Sequence, residues 1–342
     1  MQKRVLFITT VDSPVIRGDC DFLRQQGFVV QYLFYKGGNI RNIIIAQLYE
    51  FFWLWRYIWR SCLIFIWFVD LHALWPVLLG KVLFRKKIII MVGGYDAAQE
   101  FSLRYGAHLK HHKTLVIRLC CRLADKVFGV SRFTRDQINR YIGKKAEELL
   151  LAIYLPEITD LSVRKVYNWD VAMVCGGYSL QTLFRKGGDF FVKISKYIPD
   201  RKFLLIGLEG EARRWVEERR PENLTVTGKV SHVEVCNLLS RSKVACQFSR
   251  YEAFGLAIGE AMAMGCIPVG LNYGGTPEVI GDAGFLIDKL EVQDALQAVE
   301  KALNAPDSLR EKARRRIRTL FSPEVREAKL REVLRELGIR RG

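Results

Sequence analysis

Short apolar runs alternate with helical stretches from one end of the chain to the other. Val5–Thr9, Val29–Leu33, Leu63–Phe68, Lys87–Val92 and Lys126–Val130 read as buried strands in the first half. Asp170–Cys175, Lys202–Ile206, Leu224–Thr227, Val244–Phe248 and Ile267–Gly270 do so in the second. Strands that are apolar on both faces, with helices between them, imply parallel sheets covered on both sides. Two such sets predict an α/β chain with two Rossmann-like, doubly wound domains, residues 1–160 and 161–321, with ligands outside the carboxyl ends of the strands. The stretch Leu155–Trp169, with Pro156 in it, lacks a strong pattern and is the expected linker. Beyond it, Ser322 as cap and Pro323 at the first helical position open a charged helix running to Leu337. This segment, 322–342, is expected to pack back towards the N-terminal domain.

One stretch carries the strongest chemical signal. Between Arg250 and Glu260 the chain reads RYEAFGLAIGE, with seven residues between two glutamates. Eight positions along a helix leave about 80° of drift, so one continuous helix would align the two carboxylates poorly. A better reading puts Glu252 in a loop after Val244–Phe248 and starts a helix at Gly255, with Glu260 on its second turn. A loop carboxylate and a helix carboxylate would then flank a helix N-terminus, whose free N–H groups suit phosphate oxygens. A nucleotide-sugar presents a diphosphate, a ribose and a sugar at about those separations.

Composition narrows the setting. At 342 residues, half of them apolar, the chain is long enough for two cores. Its eight cysteines are scattered, with no CxxC and no zinc-ligand spacing, and read as reduced thiols of a cytosolic protein. MQKRVLFITT reads as a buried strand rather than a signal peptide. A net charge of +17 favours an anionic partner, and anionic lipid together with a nucleotide diphosphate would satisfy it. No motif for reading nucleic acid accompanies the charge, so none is expected as a partner.

Asn42–Phe68 holds four of the seven tryptophans. Glu50, Arg56 and Arg60 interrupt it, so no span long enough to cross a bilayer remains. Aromatic and basic residues on one helix suit the headgroup level of a membrane. A buried helix feeding the strand Leu63–Phe68 is the alternative for Asn42–Arg60.

The second half resembles the retaining glycosyltransferases of family 4, part of the glycosyl transferases group 1, which have the GT-B architecture of two Rossmann-like domains facing a central cleft. The resemblance rests on Glu252-Ala-Phe-Gly-Leu-Ala-Ile-Gly-Glu260, the following Ala-Met-Ala-Met-Gly-Cys-Ile-Pro268, Gly274-Gly275-Thr-Pro-Glu278, and Lys186-Gly187. It implies that Glu260 binds the donor ribose, that Glu252 lies by the donor sugar, and that the amides of Phe254, Gly255 and Leu256 meet the sugar and its phosphates. Lys186, with Arg185, would stabilise the charge on the departing diphosphate. Gly177, Gly207 and Val230 would line the donor pocket. On the acceptor side the resemblance points to Gly18, where Asp12-Ser13-Pro14 and Arg17-Gly18 after the first strand resemble a shortened form of the family's glycine loop, and to Gly94 and Tyr95, with Asp96 as the catalytic carry-over; capping is an equally good account of Asp96. Three positions depart from the family: Tyr178 stands where many members have arginine, Ala253 replaces a glycine, and Phe248 a common proline.

The expected function is retaining, metal-independent transfer of a hexose-type sugar from a nucleoside diphosphate donor to a glycan or lipid-linked acceptor, as in polysaccharide biosynthesis. No cofactor beyond the donor is implied. The expected location is cytoplasmic, peripheral on the inner face of the plasma membrane. A nucleotide-sugar epimerase of GT-B fold and a basic polyanion-binding protein with a degenerate site are the alternatives.

Overall fold

Parallel sheets form where the two sets of apolar runs lie. A computed structural model describes residues 2–35, 54–156 and 167–339. The chain divides into two units, Met1–Ala152 with Pro323–Gly342, and Ile153–Ser322. Of the expected linker, residues 157–166 lie outside the described residues.

The first unit holds β1 (Arg4–Thr9), β2 (Val29–Phe34), β3 (Ser61–Trp67), β4 (Lys87–Val92), β5 (Lys126–Gly129) and β6 (Glu147–Glu148). All pair in parallel, in the order β2-β1-β3-β4-β5-β6. Val5–Ile8 of β1 are at most 1% exposed, because helices cover both faces of the sheet. The Phe7 ring stacks between Tyr32 of β2 and Phe65 of β3, with centroids 5.7 and 5.1 Å away. Offset aromatic rows of this kind fix strand register as well as burying area.

The second unit holds β7 (Trp169–Gly177), β8 (Phe203–Leu208), β9 (Leu224–Val226), β10 (Ser242–Gln247), β11 (Ile267–Leu271) and β12 (Phe285–Ile287). Their order is β12-β11-β10-β7-β8-β9, again all parallel. The direction of winding reverses between β7 and β10. A crevice opens at such a reversal, outside the carboxyl ends of the strands. β7 ends at Gly177, and the loop after β10 carries Glu252.

The helix Pro323–Glu336 groups with the first unit. Arg326 is its anchor. Its guanidinium forks onto Asp19 of the helix Pro14–Gln25 at 2.6 and 2.7 Å, and its third nitrogen donates to the carbonyls of Leu149 and Leu150. The Trp67 indole N–H donates to the same Asp19 carboxylate at 2.9 Å. Both charged side chains are 1% exposed, so each is tolerable only because the other is present. Replacing Arg326 with methionine strands the Asp19 carboxylate. We expect Arg326→Met to cost about 3–5 kcal/mol in urea unfolding, and an unchanged midpoint would contradict that anchoring role.

Candidate active site

The loop 248–255 follows β10 and carries Glu252, Phe254 and Gly255. Its start is buried: Gln247 and Ser249 are 3% and 0% exposed. The Gln247 amide donates to Glu252 Oε2 at 2.9 Å and to Ser249 Oγ at 2.8 Å, and Ser249 Oγ lies 3.4 Å from the same carboxylate oxygen. Glu252 is therefore held by two neutral side chains. The Gly274–Gly275 turn presses on it from β11. Gly275 N–H donates to the Glu252 carbonyl at 2.8 Å. At Gly274, φ is +68° and a Cβ would stand 2.3 Å from the Glu252 carbonyl oxygen, so only glycine fits.

Arg250 ties this loop to the cations. Its guanidinium grips Asp189 at 2.7 and 2.8 Å and donates to the Phe184 carbonyl, while its own N–H donates to the Arg185 carbonyl at 2.7 Å. The helix Leu180–Lys186 ends there at Gly187. Gly187 has φ of +76°, and a Cβ on it would lie 2.1 Å from the Phe248 carbonyl oxygen. Arg185 and Lys186 thus occupy the last turn of a helix, the negative end of its dipole, where cations are favoured. Arg185 reaches the Tyr251 carbonyl at 3.4 Å. The Lys186 ammonium is half-buried and makes no hydrogen bond or ion pair among the described residues. Neither Arg250 nor Asp189 stands out in the sequence; the one available signal is their adjacency to Tyr251-Glu252 and to Gly187-Gly188.

Gly255 caps the helix Leu256–Ala263 with φ of +112°. The N–H groups of its first turn have no acceptor within the helix. Beside them, the Phe254 ring is 2% exposed and meets Phe321 edge-on at 5.5 Å. Glu260 projects from the second turn, and its Oε1 lies 2.9 Å from His232 Nε2. Sequence reasoning passed over His232. The hydrogen bond to Glu260 raises the His232 pKa above the ordinary value of 6.5, against a smaller opposing effect of burial.

Gly177 ends β7 after a register shift, and a Cβ there would press on the Thr182 methyl at 2.7 Å. Gly207, near the end of β8, has φ of +92° and donates to Thr227 Oγ1 at 3.1 Å. Val230 precedes Ser231, which caps the helix His232–Ser240 and so leads directly to the imidazole on Glu260. Tyr178 is 70% exposed and lies over Gly210, where a Cβ would be 2.6 Å from its ring. A cavity of 1030 Å³ elsewhere in this unit is lined by Lys301, Asn304, Lys312 and Arg315 and takes in none of the candidate residues.

In the first unit, Asp96 lies after β4 and is 3% exposed. Its carboxylate accepts from the N–H groups of Val69, Gly93 and Gly94, at 2.8 to 3.2 Å. Burial pushes its pKa up to about 6, although those N–H groups pull the other way. The side chain ties the ends of β3 and β4 together. Gly94 has φ of +133°, and the exposed ring of Tyr95 packs edge-on against Tyr105 at 5.4 Å, with Lys113 Nζ 5.5 Å from its centroid. Gly18 sits within the helix Pro14–Gln25 rather than in a loop. All eight cysteines are free thiols, and seven of them are buried.

Residues 182–319, which carry the Glu252 loop, the Glu260 helix and Lys186, match the family described as glycosyl transferases group 1. Over 150 residues the chain is 28% identical to a phosphatidylinositol N-acetylglucosaminyltransferase subunit of Arabidopsis thaliana. That match takes in 41% of this chain and 33% of the relative, so the chain spans about a third of the length of that curated relative. Among solved structures, it superimposes on sucrose-phosphate synthase from Thermosynechococcus elongatus with a TM-score of 0.79, at 16% identity, covering 98% of this chain and 99% of that one. The Anabaena HepE structure, in complex with UDP and glucose, gives 0.75 at 14% identity, covering 98% and 100%. The fold is that of these GT-B proteins, with two Rossmann-like units.

The packing of Gly187 on Phe248 sets the position of Lys186. Gly187→Ala should destabilise by more than about 1 kcal/mol, and by more than Gly143→Ala. Gly143 also has positive φ, +69°, but has nothing within 4 Å of its added Cβ. Equal losses in urea unfolding would show that the backbone angle alone, and not the Phe248 contact, restricts residue 187.

Proposed function

We propose that this protein is a retaining, metal-independent glycosyltransferase that moves a hexose-type sugar from a nucleoside diphosphate donor to a glycan or lipid-linked acceptor. The single observation that carries the reading is the Arg250 junction. Through it, one short loop joins a carboxylate, a helix N-terminus and a pair of cations. Glu260 accepts the ribose hydroxyls, and charge-assisted bonds of that kind are the strong ones. The amides of Phe254, Gly255 and Leu256 face the sugar and phosphates. Lys186, with no counter-charge among the described residues, and Arg185 receive the negative charge that develops on the leaving diphosphate. Gly177, Gly207 and Val230 shape the pocket for the base. Gly18, Gly94 and Tyr95 belong to the acceptor side. Asp96 contributes there by fixing its loop through three backbone N–H groups.

In the transfer itself, the acceptor oxygen bonds to the anomeric carbon on the face from which the diphosphate departs. The carbon–oxygen bond to the diphosphate breaks, and its electron pair leaves with the phosphate oxygen. The acceptor's proton passes to the departing diphosphate. Fixed cations and amides supply the charge stabilisation, with no cofactor besides the donor. The UDP and glucose bound in the Anabaena structure support a nucleoside diphosphate donor. The name of the Arabidopsis relative, a transferase to phosphatidylinositol, supports a lipid-linked acceptor.

A cytoplasmic, membrane-surface location fits the exposed side of the first unit. Residues 42–53 of the aromatic segment lie outside the described residues, but 54–60 are helical. Trp55 and Trp59 are 39% and 65% exposed there, beside the exposed Arg56 and Arg60. Val82 and Leu83 are 66% and 51% exposed on the adjoining segment, next to exposed Arg85. Two contacts join the pieces: Trp55 meets Phe84 edge-on at 4.9 Å, and Lys86 donates to the Trp59 carbonyl at 2.7 Å. Apolar side chains rimmed by arginines suit an anionic headgroup layer. Among the described residues no helix is long and apolar enough to cross a membrane.

A thermal-shift panel of nucleoside diphosphate sugars should raise the melting point with at least one donor, and Glu260→Ala should abolish that shift. With the donor so identified, Lys186→Ala should lower turnover by about 10²–10³, while a chelator leaves the wild-type rate unchanged. A Lys186→Ala enzyme of wild-type speed, or a rate lost to the chelator, would overturn the corresponding assignment. In sedimentation with vesicles, phosphatidylglycerol should retain the protein and phosphatidylcholine should not. Trp59→Ala with Leu83→Ala should weaken that retention, and equal binding to both lipids would refute the membrane surface.

A further inference from the structure

The Glu260 carboxylate is held on one side only. His232 is the first residue of the helix His232–Ser240, fixed there by the Ser231 side chain, which accepts the Glu234 N–H at 3.2 Å. That helix packs beside Leu256–Ala263. The packing brings His232 Nε2 to 2.9 Å from Glu260 Oε1, across 28 residues of sequence. The side chains are 33% and 18% exposed, so the pair is largely covered yet reachable. Glu260 Oε2 makes no hydrogen bond among the described residues.

We propose that His232 is the positioning residue for Glu260. It donates from Nε2 to Oε1 and fixes the rotation of the carboxylate, so that Oε2 and the remaining lone pair of Oε1 accept two vicinal hydroxyls of a ribonucleotide. This inference rests on the reading of Glu260 as the ribose ligand. A carboxylate on a flexible stem loses rotamer freedom when it binds, and a hydrogen bond already in place removes much of that cost. The interaction also makes binding sensitive to pH. Protonated, the pair is neutral overall; with the imidazole neutral it carries one negative charge. An anionic nucleoside diphosphate therefore binds best below the raised pKa of His232 and less well above it. Binding weakens there without being lost, because the neutral tautomer with a proton on Nε2 still donates. Among the described residues, Glu260 is the charged group that acts on His232. Cys236, one turn along the same helix, also faces Glu260, and burial pushes its thiol up to about 12, so it stays neutral.

The test is calorimetric titration of the intact chain with UDP, GDP and ADP and with their 2′,3′-dideoxy counterparts, for the wild type and for His232→Ala, His232→Gln and Glu260→Gln. The wild type should prefer the ribonucleotide. His232→Ala should weaken ribonucleotide binding by about tenfold and leave dideoxynucleotide binding nearly unchanged. His232→Gln, whose side-chain amide can also donate to Oε1, should recover most of the loss at neutral pH. It should also remove the wild-type decline in affinity as the pH rises above 6.5 through the raised pKa of His232. The titration of the phosphates is common to both proteins, so the difference between their profiles belongs to the imidazole. Unaltered ribonucleotide affinity in His232→Ala, or equal losses for ribo- and dideoxynucleotides, would overturn the positioning role while leaving the ribose assignment standing. Full ribonucleotide affinity in Glu260→Gln would overturn both.

Discussion

The bidentate pair between Arg250 and Asp189 is the interaction on which the site depends. Parallel sheets place their loops along one edge, but they do not by themselves make one loop touch another. Here a charged fork, 32% and 20% exposed, draws the loop after β10 onto Asp189 of the helix Gly188–Ser195, just past the end of the helix that follows β7. The close approach of Gly187 to Phe248 lets the two backbones meet, and the Arg250 N–H closes the junction on the Arg185 carbonyl. Without it, no ion pair would join the loop of Glu252 to the helix end that carries Lys186. With it, an acid, a helix N-terminus and two cations share one rigid support. Preorganised charge of this sort is what a reaction that expels an anionic leaving group requires.

A second ion pair does for the first unit what Arg250 does for the second. Arg326 and Asp19 are both fully buried, and the pair brings the last helix onto the first unit across 307 residues of sequence. Each of these forks uses arginine, whose planar guanidinium binds both carboxylate oxygens and still has a donor for a backbone carbonyl. A lysine could supply the charge at either place but not the geometry.

Much of the fold was legible because its strands are apolar on both faces. β4 runs over Lys87–Val92, the span that the apolar pattern picks out. β6 and β12 were not legible. One is Glu147–Glu148 and the other only Phe285–Ile287, both at sheet edges, where there is too little buried length to leave a pattern. Glu252 in a loop and Glu260 on the second helical turn could be read from their spacing and from Gly255. The partners of these residues could not. Gln247, Asp189 and His232 acquire meaning only through tertiary contacts, His232 at 28 residues from Glu260. Gly18 was misplaced in a loop because Pro14 starts its helix earlier than the glycine implied. Asp96 was legible as a residue that matters, but its three backbone bonds were not.

The central claim is that the loop after β10 and the helix after β7 together hold the diphosphate of a nucleotide. Titration calorimetry of the intact chain with each nucleoside diphosphate beside its monophosphate measures this most directly. At least one diphosphate should bind, more tightly than the matching monophosphate, and the advantage should shrink in Arg250→Met. Equal affinity for mono- and diphosphates, or an advantage untouched by that substitution, would contradict the account.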